Sequence, residues 1–325
     1  MINRKFFLTT LIVCLLPLVP LSVAAQGYPS RPLRVIVPVG PGGGFDFLGR
    51  IVSAKLGERL GQAVLVENRP GAGSLVGTEV AAKAPHDGYT LLVGGLTNIA
   101  ANAGLYKTLP YDPIADFKLL SLSVSYSLCL VARKDLPQST LKEVIDYARA
   151  NPGKITYASA GVASAQHIGS ALLAYFTGTN MLHIPYKGAG AAQADLLAGR
   201  VDLLFNNCGA AKQFIDKGDV KALAVSGRER TAAHPNVPTV TETGVAQLVI
   251  ESWIGFFIGS RTPQPIVDRL RLDIAAVLDS PEIAGRIDSD GGRLLRLSPA
   301  ESEAYVLAEI NRWKTLIPKA GVSAE

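Results

Sequence analysis

The sequence has few of the residues on which common enzyme chemistry depends. Its 325 residues include only three cysteines, four histidines and two tryptophans. The cysteines form no CxxC pair, the histidines form no HExxH motif, and no serine lies in a GxSxG turn. The usual thiol-redox, zinc and serine-hydrolase motifs are therefore excluded. We expect no catalytic residue, no bound metal and no cofactor.

Charged residues are spread along the chain rather than grouped. The chain carries 32 Lys and Arg against 27 Asp and Glu, a formal charge of +5. The basic residues form no cluster with interleaved aromatic residues. This distribution excludes nucleic acid as an expected partner.

The N-terminus carries the pattern of an export signal. Arg4 and Lys5 precede an uncharged apolar run at residues 6–21, which is followed by small residues up to Ala25. The run is shorter than the roughly 20 residues that a membrane span needs. We therefore predict a signal peptide at residues 1–25 and a periplasmic mature chain. Cleavage would remove Cys14 and leave Cys129 and Cys208. An oxidising compartment permits a disulfide between them, but neither lies in a CxxC unit and free cysteines are common core residues, so we predict two separate thiols.

Short β-branched segments alternate with segments of helical periodicity along the chain. The predicted strands are residues 33–39, 63–67, 89–94, 128–133, 155–158, 182–186, 201–206, 222–226 and 253–258. The predicted helices are residues 46–60, 75–84, 141–150, 165–176, 191–198, 211–217, 265–278 and 299–316. Alternation of this kind predicts an α/β fold with mainly parallel sheets.

The middle of the chain repeats the opening unit, which predicts a second lobe. The strand, loop and helix of residues 33–60 have a counterpart at residues 155–176. About 300 mature residues also suit two domains. We assign residues 26–127 to lobe 1, residues 128–252 to lobe 2 and residues 253–325 to a segment that returns to lobe 1. Two crossings between the lobes make a hinge.

The loop at residues 38–46 is the first candidate binding site. Ligands of open α/β sheets bind beyond the carboxyl ends of strands, and this loop follows the first strand. Its glycines allow a close backbone approach, but no Gly-Lys-Ser/Thr follows and GxGxxG is incomplete, which argues against a nucleotide. The start of the next helix attracts an anion such as a carboxylate. Asp46 either belongs to this site or caps the helix, and the two roles are compatible.

The loop at residues 159–164 has the same position in lobe 2. Two such loops facing each other would hold both ends of a small dianion without an arginine. His167 is predicted to orient this loop rather than to act as an acid or base. Residues 186–188 and 205–207 also end strands, so Lys187 lies either at the cleft or in solvent. We expect the amide of Asn206 at the ligand.

Several motifs together resemble the Bug-type solute receptors of tripartite tricarboxylate transporters. In chain order they are YPSRP (28–32), VP (37–38), PGG (41–43), Asp46, VENRPGAG (66–73), DGYTL (87–91), LPYDP (109–113), YASAG (157–161), His167, PYKG (185–188), VPTV (237–240) and Trp253. Each motif is weak alone, but their order and spacing are specific and cover the mature chain.

The resemblance implies a type II periplasmic binding-protein fold of two lobes joined by a two-crossing hinge. It also implies a monomer that captures a small carboxylate and delivers it to the membrane subunits of the transporter. Carried over by position, the expected ligand-binding residues are Pro41, Gly42, Gly43, Gly44, Phe45, Asp46, Thr97, Ser159, Ala160, Gly161, Ser164, His167 and Asn206.

The sequence departs from the family pattern at the expected site. Gly44 and Phe45 stand where a Ser or Thr pair is common, Val162 and Ala163 replace a polar-Gly pair, and Asn206 replaces a common Asp. Hydroxyl groups are lost and apolar surface is gained. We therefore expect a ligand with an apolar or aromatic body beside its carboxylate, rather than citrate.

Two other functions are compatible with the sequence. Asp46 and His167 could face one cleft and perform acid/base chemistry on a carboxylate in a periplasmic enzyme. The chain could instead be the ligand-sensing subunit of a signalling system. The absence of a nucleophile or metal motif argues against the enzyme.

Overall fold

The computed structural model describes residues 27–162 and 164–322. The predicted signal peptide at residues 1–25 lies outside this range. None of the helices within the described range combines the length and apolar character needed to cross a membrane.

Lobe 1 begins with the predicted strand, loop and helix. β1 (Leu33–Val37) is followed by α1 (Gly44–Leu60), which buries Leu48, Val52 and Leu56. The next elements are β2 (Val64–Asn68), a 3₁₀ turn (Ala72–Ser74), α2 (Leu75–Ala82), β3 (Thr90–Gly95), a π-helix (Leu96–Ala101), α3 (Asn102–Leu105) and β4 (Phe117–Arg133).

Lobe 2 follows the C-terminal part of β4 and keeps the alternation of helices and strands. Its elements are α4 (Leu141–Ala150), β5 (Thr156–Ser159), α5 (Ala165–Thr177), β6 (Leu182–Pro185), α6 (Ala189–Leu197), β7 (Leu203–Asn207), α7 (Cys208–Asp216) and β8 (Val220–Val225). Thr140 and Glu143 form a capping box that fixes the start of α4.

The chain then returns to lobe 1. The returning elements are β9 (Glu251–Gly259), α8 (Gln264–Leu278), α9 (Pro281–Ser289), β10 (Gly292–Leu294) and α10 (Pro299–Lys319). α8 packs on α1, and α10 packs on α3. α9, β10 and the N-terminal half of β4 were not predicted from the sequence.

The sheets are mixed, whereas the sequence predicted mainly parallel sheets. β1 pairs in parallel with β2 and β3, and β5 pairs in parallel with β6 and β7. The antiparallel pairs all involve β4 or β9. These two strands link the lobes and run against their neighbours, which accounts for the difference.

One long strand carries the chain from lobe 1 to lobe 2. The N-terminal part of β4, from Phe117 to Ser127, pairs with β9, and its C-terminal part from Leu128 onward pairs with β7. Ser226 joins the crossing segments, because its N–H donates to Leu128 O (2.8 Å) and its carbonyl accepts from Ile250 N (2.8 Å). Two adjacent segments thus connect the lobes, an arrangement that permits hinge closure.

The prediction of two separate thiols is wrong. Cys129 and Cys208 form a disulfide with their Cα atoms 4.9 Å apart. Cys129 of β4 pairs with Asn206 of β7, and Cys208 follows two residues later as the first residue of α7. The two cysteines are 79 residues apart in sequence, so only the strand pairing brings them together.

Candidate functional site

A cleft of about 750 Å³ lies between the two lobes. Lobe 1 contributes the segments that follow β1, β2 and β3, together with parts of β4 and β9. Lobe 2 contributes the segments that follow β5 and β6, together with the end of β7. The lining residues are Pro38 to Phe45, Pro70, Gly71, Gly73, Ser74, Thr97, Tyr126, Leu128, Ala160, Val162, Ser164 to Gln166, Lys187 to Gly190, Asn207, Ser252 and Ile254. We call this cavity the interlobe cleft.

Asp46 holds the first loop of lobe 1 from behind. Its carboxylate accepts hydrogen bonds from Gly42 N (3.0 Å), Arg50 Nε (3.0 Å) and Asn68 Nδ2 (2.8 Å). Asn68 Nδ2 also donates to Val39 O (3.0 Å), so β2 fixes the loop that follows β1. Asp46 therefore supports the shape of the loop, and Gly43, not Asp46, occupies the capping position of α1.

The charge state of Asp46 follows from these contacts. Burial acts to raise the pKa of the carboxyl, since Asp46 is almost completely enclosed. The hydrogen bonds from Arg50, Asn68 and Gly42 outweigh burial and hold the pKa below its usual value. Asp46 is consequently ionised at neutral pH, and its charge is compensated within lobe 1.

A second loop of lobe 1, residues 70–74, also lines the interlobe cleft. These residues are part of the family resemblance, but they were not among the expected ligand-binding residues. It follows β2 as the first loop follows β1, so the strand-end argument that selected residues 38–46 applies here too. Thr97, in the π-helix after β3, completes the lobe 1 side.

The lobe 2 loop is built around Ser159 and Gly161. The Ser159 hydroxyl accepts from Gly161 N (3.1 Å), and the Ser164 hydroxyl donates to Gly161 O (2.7 Å). Ser164 then caps α5 by accepting from His167 N (3.3 Å). Gly161 has a φ of 128°, a conformation that side chains rarely allow. These bonds place the start of α5 at the interlobe cleft.

His183 contacts the lobe 2 loop and packs against His167, the residue that was predicted to orient this loop. His183 Nε2 lies 2.7 Å from Ser159 Oγ, and the two imidazole rings stack with centroids 3.9 Å apart. The backbone N–H of His167 reaches Ser164. Burial lowers the pKa of His183, and burial together with His183 lowers the pKa of His167 to about 4. Both imidazoles are therefore neutral at neutral pH.

The end of β7 presents Asn207 rather than Asn206. Asn206 is buried, and its amide donates to Gln193 Oε1 (2.6 Å) while its oxygen accepts from Asn207 N (2.9 Å). Asn207 lines the interlobe cleft and caps α7 by accepting from Gly209 N (2.8 Å). The alternation of side chains along a strand explains this one-residue difference.

The structure brings most of the expected residues to one place. Those that line the interlobe cleft are Pro41, Gly42, Gly43, Gly44, Phe45, Thr97, Ala160 and Ser164. Those that do not line it are Asp46, Ser159, Gly161, His167 and Asn206. The second group supports the loops from behind, through the hydrogen bonds given above. Position in the sequence alone therefore does not distinguish residues that line the cleft from residues that support its loops.

The lining of the interlobe cleft favours an anion. Within the described residues no Asp or Glu lines it, and Lys187 is its charged side chain. Helix starts surround it, because Gly44, Ala165, Ala189 and the cap Asn207 belong to α1, α5, α6 and α7. Main-chain N–H groups at helix starts attract negative charge. Across the described residues, no three acidic, histidine or cysteine side chains gather into a possible metal site.

Comparisons with known proteins agree with this arrangement. Residues 48–322 match the family model described as "Tripartite tricarboxylate transporter family receptor". The protein BugT of Bordetella pertussis is 32% identical over 300 residues, which is 92% of this chain and 92% of BugT.

Two solved structures from Rhodopseudomonas palustris have the same fold. Rpa4515 with adipate gives a TM-score of 0.83 at 32% identity, covering 91% of this chain and 99% of that one. MatC with bound malate gives 0.81 at 31% identity, covering 89% and 100%. The match of the family model over most of the sequence shows that this chain belongs to the receptors of the tripartite tricarboxylate transporter family, which bind solutes and are not enzymes.

Proposed function

We propose that the chain is exported to the periplasm, captures a small carboxylate in the interlobe cleft and delivers it to the membrane subunits of a tripartite tricarboxylate transporter. The predicted signal peptide supports export. Family membership supports the transporter as partner. The similar proteins with adipate and malate support a carboxylate as ligand.

The observation that carries the proposal is the electrostatic character of the interlobe cleft. Helix starts from both lobes meet there, no carboxylate among the described residues lines it, and Lys187 adds one positive charge. A carboxylate bound between α1 and α5 would contact both lobes only when they are close. Differential contacts of this kind favour the closed state, which the membrane subunits would recognise.

The walls of the interlobe cleft support a ligand with an apolar body. Phe45, Tyr126, Leu128 and Ile254 lie on its lobe 1 and hinge side, and the half-exposed Val162 lies on its lobe 2 side. Such surfaces add affinity for carbon chains or rings through burial of apolar area. We propose a carboxylate that carries an aliphatic chain or an aromatic ring, rather than citrate.

A charge placed in the interlobe cleft tests the binding site. Asn207→Asp keeps an acceptor at the capping position of α7 but adds a carboxylate to the lining. Isothermal titration with adipate and malate should show an affinity at least about tenfold lower than that of the wild type, at an unchanged melting temperature. Thr140→Asp, at the cap of α4 outside the lining, is the matched control and should bind as the wild type does. Equal affinity in both variants would contradict the proposed site.

The ligand class and the partner need separate measurements. Thermal-shift screening of aromatic, aliphatic and tricarboxylic acids should favour acids with one apolar body, and a clear preference for citrate would contradict this. Uptake of the best radiolabelled ligand by cells should stop when the gene is deleted while the membrane subunits remain expressed. Unchanged uptake with loss of a ligand-induced transcriptional response would indicate a sensor instead.

A further inference from the structure

The second lobe 1 loop has an unusual backbone. Ala72 has a φ of 44° and Ser74 a φ of 73°, and they flank Gly73 with a φ of 59°. Ala72 and Ser74 are the described non-glycine residues with positive φ. This conformation is costly for residues that carry a Cβ. Residues that are nevertheless held in it concentrate at functional sites. The loop therefore has a shape that its own sequence does not favour.

Side chains behind the loop maintain this shape. Three consecutive carbonyl oxygens each accept a hydrogen bond: Ala72 O from Tyr106 Oη (3.3 Å), Gly73 O from Asn102 Nδ2 (3.0 Å) and Ser74 O from Thr78 Oγ1 (2.7 Å). Asn102 and Thr78 are completely buried. These hydrogen bonds therefore satisfy the three carbonyl oxygens, which would otherwise repel an anion. They also keep the loop in its left-handed conformation.

Ser74 stands out within this loop. It lines the interlobe cleft and is only 6% exposed. It immediately precedes α2, a position where a serine usually caps the helix, yet its side chain makes no capping hydrogen bond. Capping requires an extended backbone, and the φ of 73° prevents it. A glycine would adopt this φ without strain, so the serine has no evident structural advantage here.

We infer that Ser74 is a ligand-contacting residue whose hydroxyl donates a hydrogen bond to the carboxylate of the bound solute. The left-handed loop places this residue at the interlobe cleft, which the start of α5 also lines. The inference rests on the proposed function and adds a hydroxyl donor from lobe 1 to a site built mainly of main-chain groups.

Two variants at one position separate binding from stability. Ser74→Gly removes the hydroxyl and relieves the backbone, so we expect a melting temperature about 2 °C higher and an affinity for adipate and malate about tenfold lower. Ser74→Ala removes the hydroxyl but keeps the strained φ. It should lose the same affinity with no gain in melting temperature. A purely structural serine would move stability and affinity in the same direction.

Ala72→Gly is the matched control, because it relieves the same kind of strain at a residue that does not line the interlobe cleft. It should raise the melting temperature and leave the affinity unchanged. If the wild type binds and both Ser74 variants bind within twofold of it, the inference is overturned while the proposed function stands. If Ala72→Gly loses affinity as well, the loss in the Ser74 variants is caused by a change in loop shape, and the proposed role of the hydroxyl is overturned. A wild type that binds none of the carboxylates overturns both.

Discussion

The two halves of the interlobe cleft are held in place by different chemistry. In lobe 1 an ionised carboxylate, Asp46, binds the loop; its charge is compensated by Arg50, and it accepts a further hydrogen bond from Asn68. In lobe 2 a hydroxyl, Ser159, binds the loop and is held by the neutral imidazole of His183. Both halves present a helix start to the same cavity. The same cleft is thus supported by a charge in one lobe and by an uncharged ring in the other.

The difference divides the molecule into halves with different sensitivities. The lobe 1 support needs a deprotonated Asp46, whose pKa is lowered by its donors. The lobe 2 support needs unprotonated imidazoles, whose pKa values are lowered by burial. Lobe 2 also contains the disulfide that joins β4 to the start of α7, next to Asn207. Acid and reductant should therefore act on lobe 2 first.

Reduction of the disulfide should have the largest effect. Cys129 and Cys208 are separated by 79 residues, and a loop of this length restricts the unfolded chain strongly. We expect reduction to lower the free energy of unfolding by about 2–4 kcal/mol. Hydrogen exchange should show faster opening of β7 and α7, with β1 and β2 unchanged. The double variant Cys129→Ala and Cys208→Ala, already without the bond, should not respond to reductant; equal opening of both lobes would contradict the comparison.

Removal of the charge of Asp46 should have the next largest effect and should be confined to lobe 1. Asp46→Asn weakens three hydrogen bonds to the two buried carboxylate oxygens, and it should lower the free energy of unfolding by about 2 kcal/mol. The contribution of the ion pair to this loss is small, because Arg50 is half exposed and water screens its charge. It should also lower ligand affinity, since the loop at Gly42 loses its support. Asp279→Asn removes an exposed ion pair with Arg296 in the same lobe and should cost less than about 0.5 kcal/mol. Chemical denaturation and calorimetry measure both quantities, and equal losses in the two variants would contradict the role of Asp46.

The parts of the fold that could be predicted from the sequence are those with strong local patterns of apolar spacing and helix capping. The helix at residues 141–150 coincides with α4, because its apolar spacing and capping box both lie within the segment. α9 was missed because its polar sequence buries only Ile283 and Ile287. The N-terminal half of β4 was missed because its partner, β9, lies more than 120 residues away in sequence. The disulfide and the mixed sheets also depend on pairing between strands that are distant in sequence, so they were not predicted.

The site was predicted at the level of loops rather than side chains. The rule that ligands bind beyond strand ends selected the loops at residues 38–46 and 159–164, and both line the interlobe cleft. It did not separate Asn206 from Asn207, because a difference of one residue at a strand end reverses the direction of the side chain. It also gave no reason to include His183, because the stacking of its ring on that of His167 depends on how β6 packs against α5.

The smallest effect we expect is a dependence on pH that acts on lobe 2 alone. In the unfolded chain a histidine has a pKa near 6.5, and in the fold the pKa of His167 is about 4. Between these values the unfolded state takes up a proton that the fold resists, so stability falls as pH decreases from about 6.5 to 4 and levels off below. The pKa of the Asp46 carboxyl is also lowered in the fold, so its contribution has the same sign, but it is lost only as the pH falls below the ordinary value of 3.8.

We therefore expect the melting temperature to fall by roughly 5 °C between pH 7 and pH 4.5. Over the same interval, hydrogen exchange corrected for pH should accelerate in α5 and β6 but not in α1 and β2. His167→Gln, which cannot titrate, should remove at least half of the fall. A melting temperature that is flat across the interval, or acceleration that is equal in the two lobes, would show that the neutral imidazoles do not hold the lobe 2 loop. The difference between a charged support in lobe 1 and a neutral support in lobe 2 would then not extend to sensitivity to acid.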